Sequence, residues 1–276
     1  MSGLEQRISL WSRVCDPLNT IVRNMRGASN LAATWIVTCM NSQPRGSAGF
    51  GSTNRESSAR SESWEVRIPS GDVTLSGELA IPENAVGVVL FAHGSGSSRH
   101  SPRNQFVART LRESGIATLL FDLLTADEEP EDALTGRLRF NIGLLAQRLV
   151  TATQWMANHP QGRRSGLGYF GASTGGAAAL VAAASLGSGI DAVVSRGGRP
   201  DLAGDALARV GSPTLLIVGG RDELVLRLNE QAYAQLPGQK ELAVVPRATH
   251  LFDEPGALEE VARLAAQWFR RFLRLH

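Results

Sequence analysis

The stretch "GYFGASTGG" (168–176) sets one serine, Ser173, between Gly171 and Gly175, directly after an apolar run and directly before an alanine-rich one. A serine hydroxyl is a poor nucleophile at neutral pH and needs a base in contact with it. The chain has five histidines, so the base can be sought by elimination. His276 is terminal and His159 precedes Pro160 at a helix end, both positions of solvated groups. His100 lies in a polar loop, and His93 closes the apolar run in "FAHGSGSS". His250, in "VVPRATHLFDEPG", follows the last strand directly, on a loop able to reach the serine, and is the expected base. An imidazole in this role needs a carboxylate to fix its tautomer and stabilise the imidazolium. The strand before it ends "LLIVGGRDELV", which offers Asp222, with Glu223 beside it as the alternative. Asp222 is also a good N-cap for the helix that follows, so capping alone would account for it. The order Ser, Asp, His, each at a strand end, favours a triad for nucleophilic acyl transfer.

On its own the G-x-S-x-G pattern is weak, because a chain with 29 glycines and many serines supplies it by chance. Context gives it meaning. A strand that turns sharply into a helix holds the serine in a strained conformation where a neighbouring Cβ would collide, which accounts for Gly171 and Gly175. The oxyanion that develops on attack needs two N–H donors. Thr174, at the start of the helix after the serine, is expected to supply one, aided by the helix dipole. Ser95, in the loop "HGSGSS", is expected to supply the other.

These residues need a scaffold that delivers them to one edge. From Trp64 onward short β-rich runs alternate with longer helical ones. Strands are expected at "WEVRIP", "VTLSGELAI", "VGVVLFA", "ATLLFDL", "GLGYF", "DAVVS", "PTLLIVG" and "ELAVVP". The last six are continuous apolar runs, as in strands buried on both faces. The first two, separated by "SGD", read as an antiparallel hairpin at one edge. Helices are expected from Arg103 to Ser114, over "FNIGLLAQRLVTATQWMAN", "TGGAAALVAAASLG", "DLAGDALARV" and "LVLRLNEQAYAQL", and over the final "GALEEVARLAAQWFRRFLRL". In that last helix Leu258, Val261, Leu264, Ala265 and Phe269 form an apolar stripe. Such alternation implies a mostly parallel, eight-stranded α/β sheet with helices on both faces. In such a sheet the working residues collect beyond the carboxyl ends of the strands.

Residues 1–60 differ: they are rich in Ser, Asn, Arg and Gly and end in the run "NSQPRGSAGFGSTNRESSARSES". Such a stretch buries too little apolar area to offset its ordering entropy and is expected to be a disordered extension before a domain over 61–276. The apolar "LAATWIVTCM" after Arg23 and Arg26 makes export or organelle targeting the alternative to the expected cytoplasmic location. The formal charge of +2 over 276 residues suggests neither nucleic acid nor an acidic membrane as partner. No run approaches the roughly 18 apolar residues of a membrane span. Both cysteines, Cys15 and Cys39, lie near the start, so the rest of the chain has no thiolate nucleophile and no Cys-based metal site. No cofactor and no metal are implied, and the sequence leaves the oligomeric state open.

The motifs "HGSGSSRHSPRN", "GYFGASTGG", "VVSRGGRPDL", "LIVGGRDELV" and "ATHLFDEPG" together resemble the α/β-hydrolase superfamily, and more narrowly its dienelactone-hydrolase-like branch, from about residue 64 to the end. The resemblance implies the α/β-hydrolase fold, the Ser173, His250 and Asp222 triad, and the "HG" loop as the second oxyanion element. Some relatives carry such a domain after a phosphoribosyltransferase domain, which the first sixty residues do not suggest. Dienelactone hydrolases proper use a cysteine nucleophile, whereas Ser173 stands in that place here. The expected reaction is cleavage of a small-molecule ester, lactone or thioester through an acyl-enzyme. An acyltransferase with the same triad, or a noncatalytic binding member of the fold, are the alternatives.

Only about fifteen residues separate "VVSRGG" from "PTLLIVG", too few for a helical lid, so an open site is expected. Strand-end loops bring Arg196 and Arg199, and Arg99 and Arg103, toward it. Arginine suits carboxylate or phosphate recognition, so these are candidate contacts for an anionic substrate. The alternative is that they pair with the acidic run "DEEPED" at 127–132.

Overall fold

The computed structural model describes residues 62–274 apart from 161, 163 and 164. The extension expected over 1–60, and His276, lie outside the described residues.

Eight strands form one sheet: β1 (Glu62–Ser70), β2 (Val73–Ile81), β3 (Gly87–Ala92), β4 (Ala117–Phe121), β5 (Gly166–Ala172), β6 (Ala192–Arg196), β7 (Thr214–Gly219) and β8 (Lys240–Val245). Their order is β1-β2-β4-β3-β5-β6-β7-β8. The β1–β2 hairpin is antiparallel and β2 meets β4 antiparallel, while every pair from β4 to β8 is parallel. This is the α/β-hydrolase architecture. Strands β3 to β7 are buried throughout, because helices cover both their faces. Strand β8 departs from the expectation: it is the sheet edge and mostly part-exposed, with Val244 45 % accessible. An apolar run does not reveal whether a second neighbour will cover it.

Helices α1 (Pro102–Glu113), α2 (Glu129–Thr135), α3 (Ile142–Asn158), α4 (Thr174–Leu186), α5 (Glu223–Gln235) and α6 (Ala257–Phe272) complete the fold. Helices α1 and α6 pack together on one face, over Val89, Phe91, Phe170, Val194 and Ile217. Helix α4 packs with α3, and with the 3-10 segment Pro200–Arg209, on the other. That segment was expected as an α-helix, but Gly204, at φ 51°, breaks it into two short turns. The β6–β7 connection holds nothing more, so no helical lid is inserted there.

The longer excursion is the one the sequence did not suggest, between β4 and α3, carrying α2. Two part-buried ion pairs hold it. Arg148 of α3 forks onto Glu128 at 2.6 and 2.7 Å and donates to the Leu123 carbonyl. Asp132, fully buried, accepts from the Leu138 and Arg139 N–H groups and from the Arg139 side chain. The acidic run therefore pairs with arginines of its own neighbourhood rather than with those at the strand ends.

Candidate active site

Ser173 stands between β5 and α4 at φ 51° and ψ −120°, a region that non-glycine residues rarely enter. The surroundings impose it. Its N–H donates to the Arg196 carbonyl at 3.2 Å, and its own carbonyl accepts from the N–H groups of Gly176 and Arg199 at 3.0 and 3.1 Å. The end of β6 thus grips the elbow on both sides. The turn is tight enough that a Cβ on Gly175 would overlap the Ala92 carbonyl, and one on Gly171 would stand 2.5 Å from the Gly175 carbonyl. Strain of about 1–3 kcal/mol at such a residue persists only where the surrounding structure over-determines it.

His250 and Asp222 are brought together: His250 Nδ1 lies 2.7 Å from Asp222 Oδ2. The Asp222 side chain is 1 % accessible and that of His250 15 %, so the carboxylate is sealed behind the ring. Asp222 is the N-cap residue of α5 by position, yet its side chain makes no capping bond. Arg247 (φ 64°) and Phe252 (φ 57°), both left-handed, bracket His250 and turn its loop back over β6. There the imidazole Cε1 sits 3.5 Å from where a Cβ on Gly197 would stand, next to the residue whose carbonyl holds Ser173. Asn229, fully buried on α5, donates to the Gly198 carbonyl at 3.0 Å and fixes that loop from behind.

Across the elbow, the loop after β3 runs beside Ser173: a Cβ on Gly94 would stand 3.1 Å from Ser173 Cβ. The Ser95 N–H, expected to point at an oxyanion, instead donates to Thr174 Oγ1 at 3.0 Å. His93, set aside as a base, has a different job. Its Nε2 accepts from the Leu123 N–H at 2.9 Å, so the neutral ring carries its proton on Nδ1, which donates to the Gly94 carbonyl at 3.0 Å. The imidazole ties this loop to the chain after β4. Burial pushes its pKa below 6.5, against the pull of the Gly94 carbonyl and of Asp122. The signal for this was the position of His93 at the end of a buried strand.

Of the strand-end arginines, three are engaged. Arg99 bonds Asp122 through its side chain and, at 2.7 Å, its N–H; Arg103 meets Asp253 at 3.2 Å; Arg199 forks onto Asp201 at 2.9 and 2.7 Å. Arg196 is different. It is 8 % accessible, its Nε and Nη1 have no hydrogen-bond partner among the described residues, and its guanidinium lies 5.9 Å from the centre of the Phe252 ring. Burial, with Arg103 nearby, pushes its pKa down to about 10, so it stays charged at neutral pH.

Among the described residues, no helix is long and apolar enough to cross a membrane. The dienelactone hydrolase family model matches residues 75–275, which spans every residue of this site. The chain belongs to the dienelactone hydrolase family. The dienelactone hydrolase of Anabaena variabilis is 57 % identical, with 78 % of this chain and 99 % of that one aligned at a TM-score of 0.76. The family's fold extends to more distant structures: Est1E of Butyrivibrio proteoclasticus, 17 % identical, covers 75 % of this chain and 98 % of its own at a TM-score of 0.63. The Pyrococcus furiosus esterase Pf2001, 20 % identical, covers 77 % and 92 % at 0.59. Two Mycobacterium tuberculosis proteins with a provisional phosphoribosyl transferase name are 58 % identical over 205 residues, 74 % of this chain. The chain spans 45 % of their length, less than half.

Proposed function

We propose that this member of the family hydrolyses a carboxylic ester, lactone or thioester of a small molecule through an acyl-enzyme on Ser173. Ser173 Oγ attacks the carbonyl while His250 takes its proton, then returns it to the leaving group; Asp222 holds the ring in the tautomer that can accept. A water activated by His250 completes the second half. The observation that carries the reading is the buried Asp222 carboxylate 2.7 Å from His250 Nδ1, on a loop folded against the residues that grip the Ser173 elbow. The Thr174 N–H, at the start of α4, is the proposed backbone donor to the oxyanion. The phosphoribosyl transferase name belongs to proteins more than twice the matched length, and we attribute it to their unmatched part.

Arg196 supports a preference for substrates that carry an anionic group, because among the four arginines Arg99, Arg103, Arg196 and Arg199 it is the one whose guanidinium lacks a carboxylate partner among the described residues. A fluorophosphonate probe tests the main reading. The folded wild type should be labelled and the Ser173→Ala variant should not. Absence of labelling on the folded wild type would defeat it in favour of a noncatalytic member of the fold.

A further inference from the structure

Among the described residues, the threonines inside helices spend their hydroxyl protons at home. Thr110, Thr135, Thr151 and Thr153 each donate to the carbonyl four residues back. Thr174 cannot do this, since it is the first residue of α4 and no helical turn precedes it. Its Oγ1 instead accepts the Ser95 N–H at 3.0 Å, and its own hydrogen has no acceptor among the described residues. Its backbone N–H likewise has no partner among them. Thr174 is only 4 % accessible, so little of it meets bulk solvent. Two donors on one buried residue, adjacent to a nucleophile and unpartnered, call for an incoming oxygen.

We propose that the Thr174 hydroxyl is a catalytic hydrogen-bond donor, placed between the Ser95 N–H and the carbonyl oxygen that Ser173 attacks; this rests on the serine-hydrolase reading of Ser173. As Ser173 Oγ bonds to carbon, the carbonyl π pair moves onto oxygen and the serine proton passes to His250. The oxyanion then accepts from the Thr174 N–H and the Thr174 hydroxyl, both of which keep their protons. The Ser95 N–H acts one bond behind, polarising the hydroxyl so that it donates more strongly. In this arrangement Ser95 contributes through Thr174 rather than by touching substrate.

Thr174→Val removes the hydroxyl but keeps the shape and the backbone N–H, while Thr174→Ser restores a hydroxyl. With p-nitrophenyl acetate, kcat of Thr174→Val should fall about 100-fold, the loss typical of one oxyanion donor, with KM changed less than about threefold. Affinity for an alkylboronic acid, which forms a tetrahedral adduct on the serine, should fall with kcat, and Thr174→Ser should stay within about fivefold of wild type on both readouts. A Thr174→Val enzyme as fast as wild type, or faster because the Ser95 N–H has been released, overturns the proposal. So does a Thr174→Ser variant as slow as Thr174→Val. Fluorophosphonate labelling of wild type and Ser173→Ala, run in parallel, separates the two levels. An unlabelled wild type removes the reading of Ser173 and this inference with it, whereas normal labelling with an unimpaired Thr174→Val removes the inference alone.

Discussion

His250 Nδ1 and Asp222 Oδ2 lie 2.7 Å apart, whereas Glu223, the next residue, turns its carboxylate outward to within 3.9 Å of Arg227. One backbone step separates a sealed carboxylate from a solvated one, because Asp222 is still inside the turn after β7 and Glu223 already opens α5.

Asp222→Asn should therefore lower kcat on a p-nitrophenyl ester by about 10⁴-fold, since an amide leaves the imidazole in the wrong tautomer without altering the packing. Glu223→Gln should leave kcat unchanged. Equal losses in the two variants, measured at steady state, would refute the assignment.

The engaged and unengaged arginines give a contrast within one site. Arg196→Ala should raise KM for an ester bearing a carboxylate by about tenfold, the size of one charge-assisted hydrogen bond, and leave a neutral ester of equal length untouched. Arg199→Ala, whose side chain is committed to Asp201, should not discriminate between the two esters. A matched KM change on neutral and anionic esters in Arg196→Ala would remove the anionic preference.

His93 predicts a pH dependence of stability. Its pKa is lowered in the fold by burial, so the unfolded chain binds the proton more readily. The stability it contributes is complete above 6.5 and is lost as pH falls through the lower folded value. His93→Ala leaves the buried Leu123 N–H without its acceptor and should cost about 1–3 kcal/mol at pH near 7.5. In urea unfolding the gap between wild type and variant should narrow as pH drops below 6.5. A gap that widens in acid would show the opposite sign.

The elbow can be tested through its smallest residue. A Cβ on Gly175 would overlap the Ala92 carbonyl, which is backbone and cannot swing aside. Gly175→Ala should destabilise the domain by about 3 kcal/mol or more, visible as a shifted urea midpoint. A variant of wild-type stability would mean that β3 and α4 are not in the close contact described.

Much of this architecture was legible in the chain. Continuous apolar runs marked the buried strands, and "SGD" marked the hairpin that proves antiparallel and lies at the edge. The segment DLAGDALARV is two short turns rather than the expected α-helix and β8 is part-exposed rather than buried, because a glycine kink and a missing neighbour leave no trace in hydrophobic period. The excursion carrying α2 was invisible for a different reason. Its order comes from Arg148 and Arg139 folding onto Glu128 and Asp132, and charge runs read alone suggest a solvated surface.

By itself the sequence determined the strand-turn-helix around Ser173, the order of serine, acid and histidine on later strand ends, and hence the family. Those are local properties, set by apolar period and by where glycine is required. Only the tertiary structure decided which acid faces His250, which of Arg99, Arg103, Arg196 and Arg199 lacks a carboxylate partner, that His93 ties its loop to the chain after β4, and that the Ser95 N–H ends on the Thr174 hydroxyl. The contacts of His250, His93 and Ser95 each depend on two segments far apart in the chain meeting to within hydrogen-bond distance. Residue type sets what a group can donate or accept, and packing sets which partner is there to meet it.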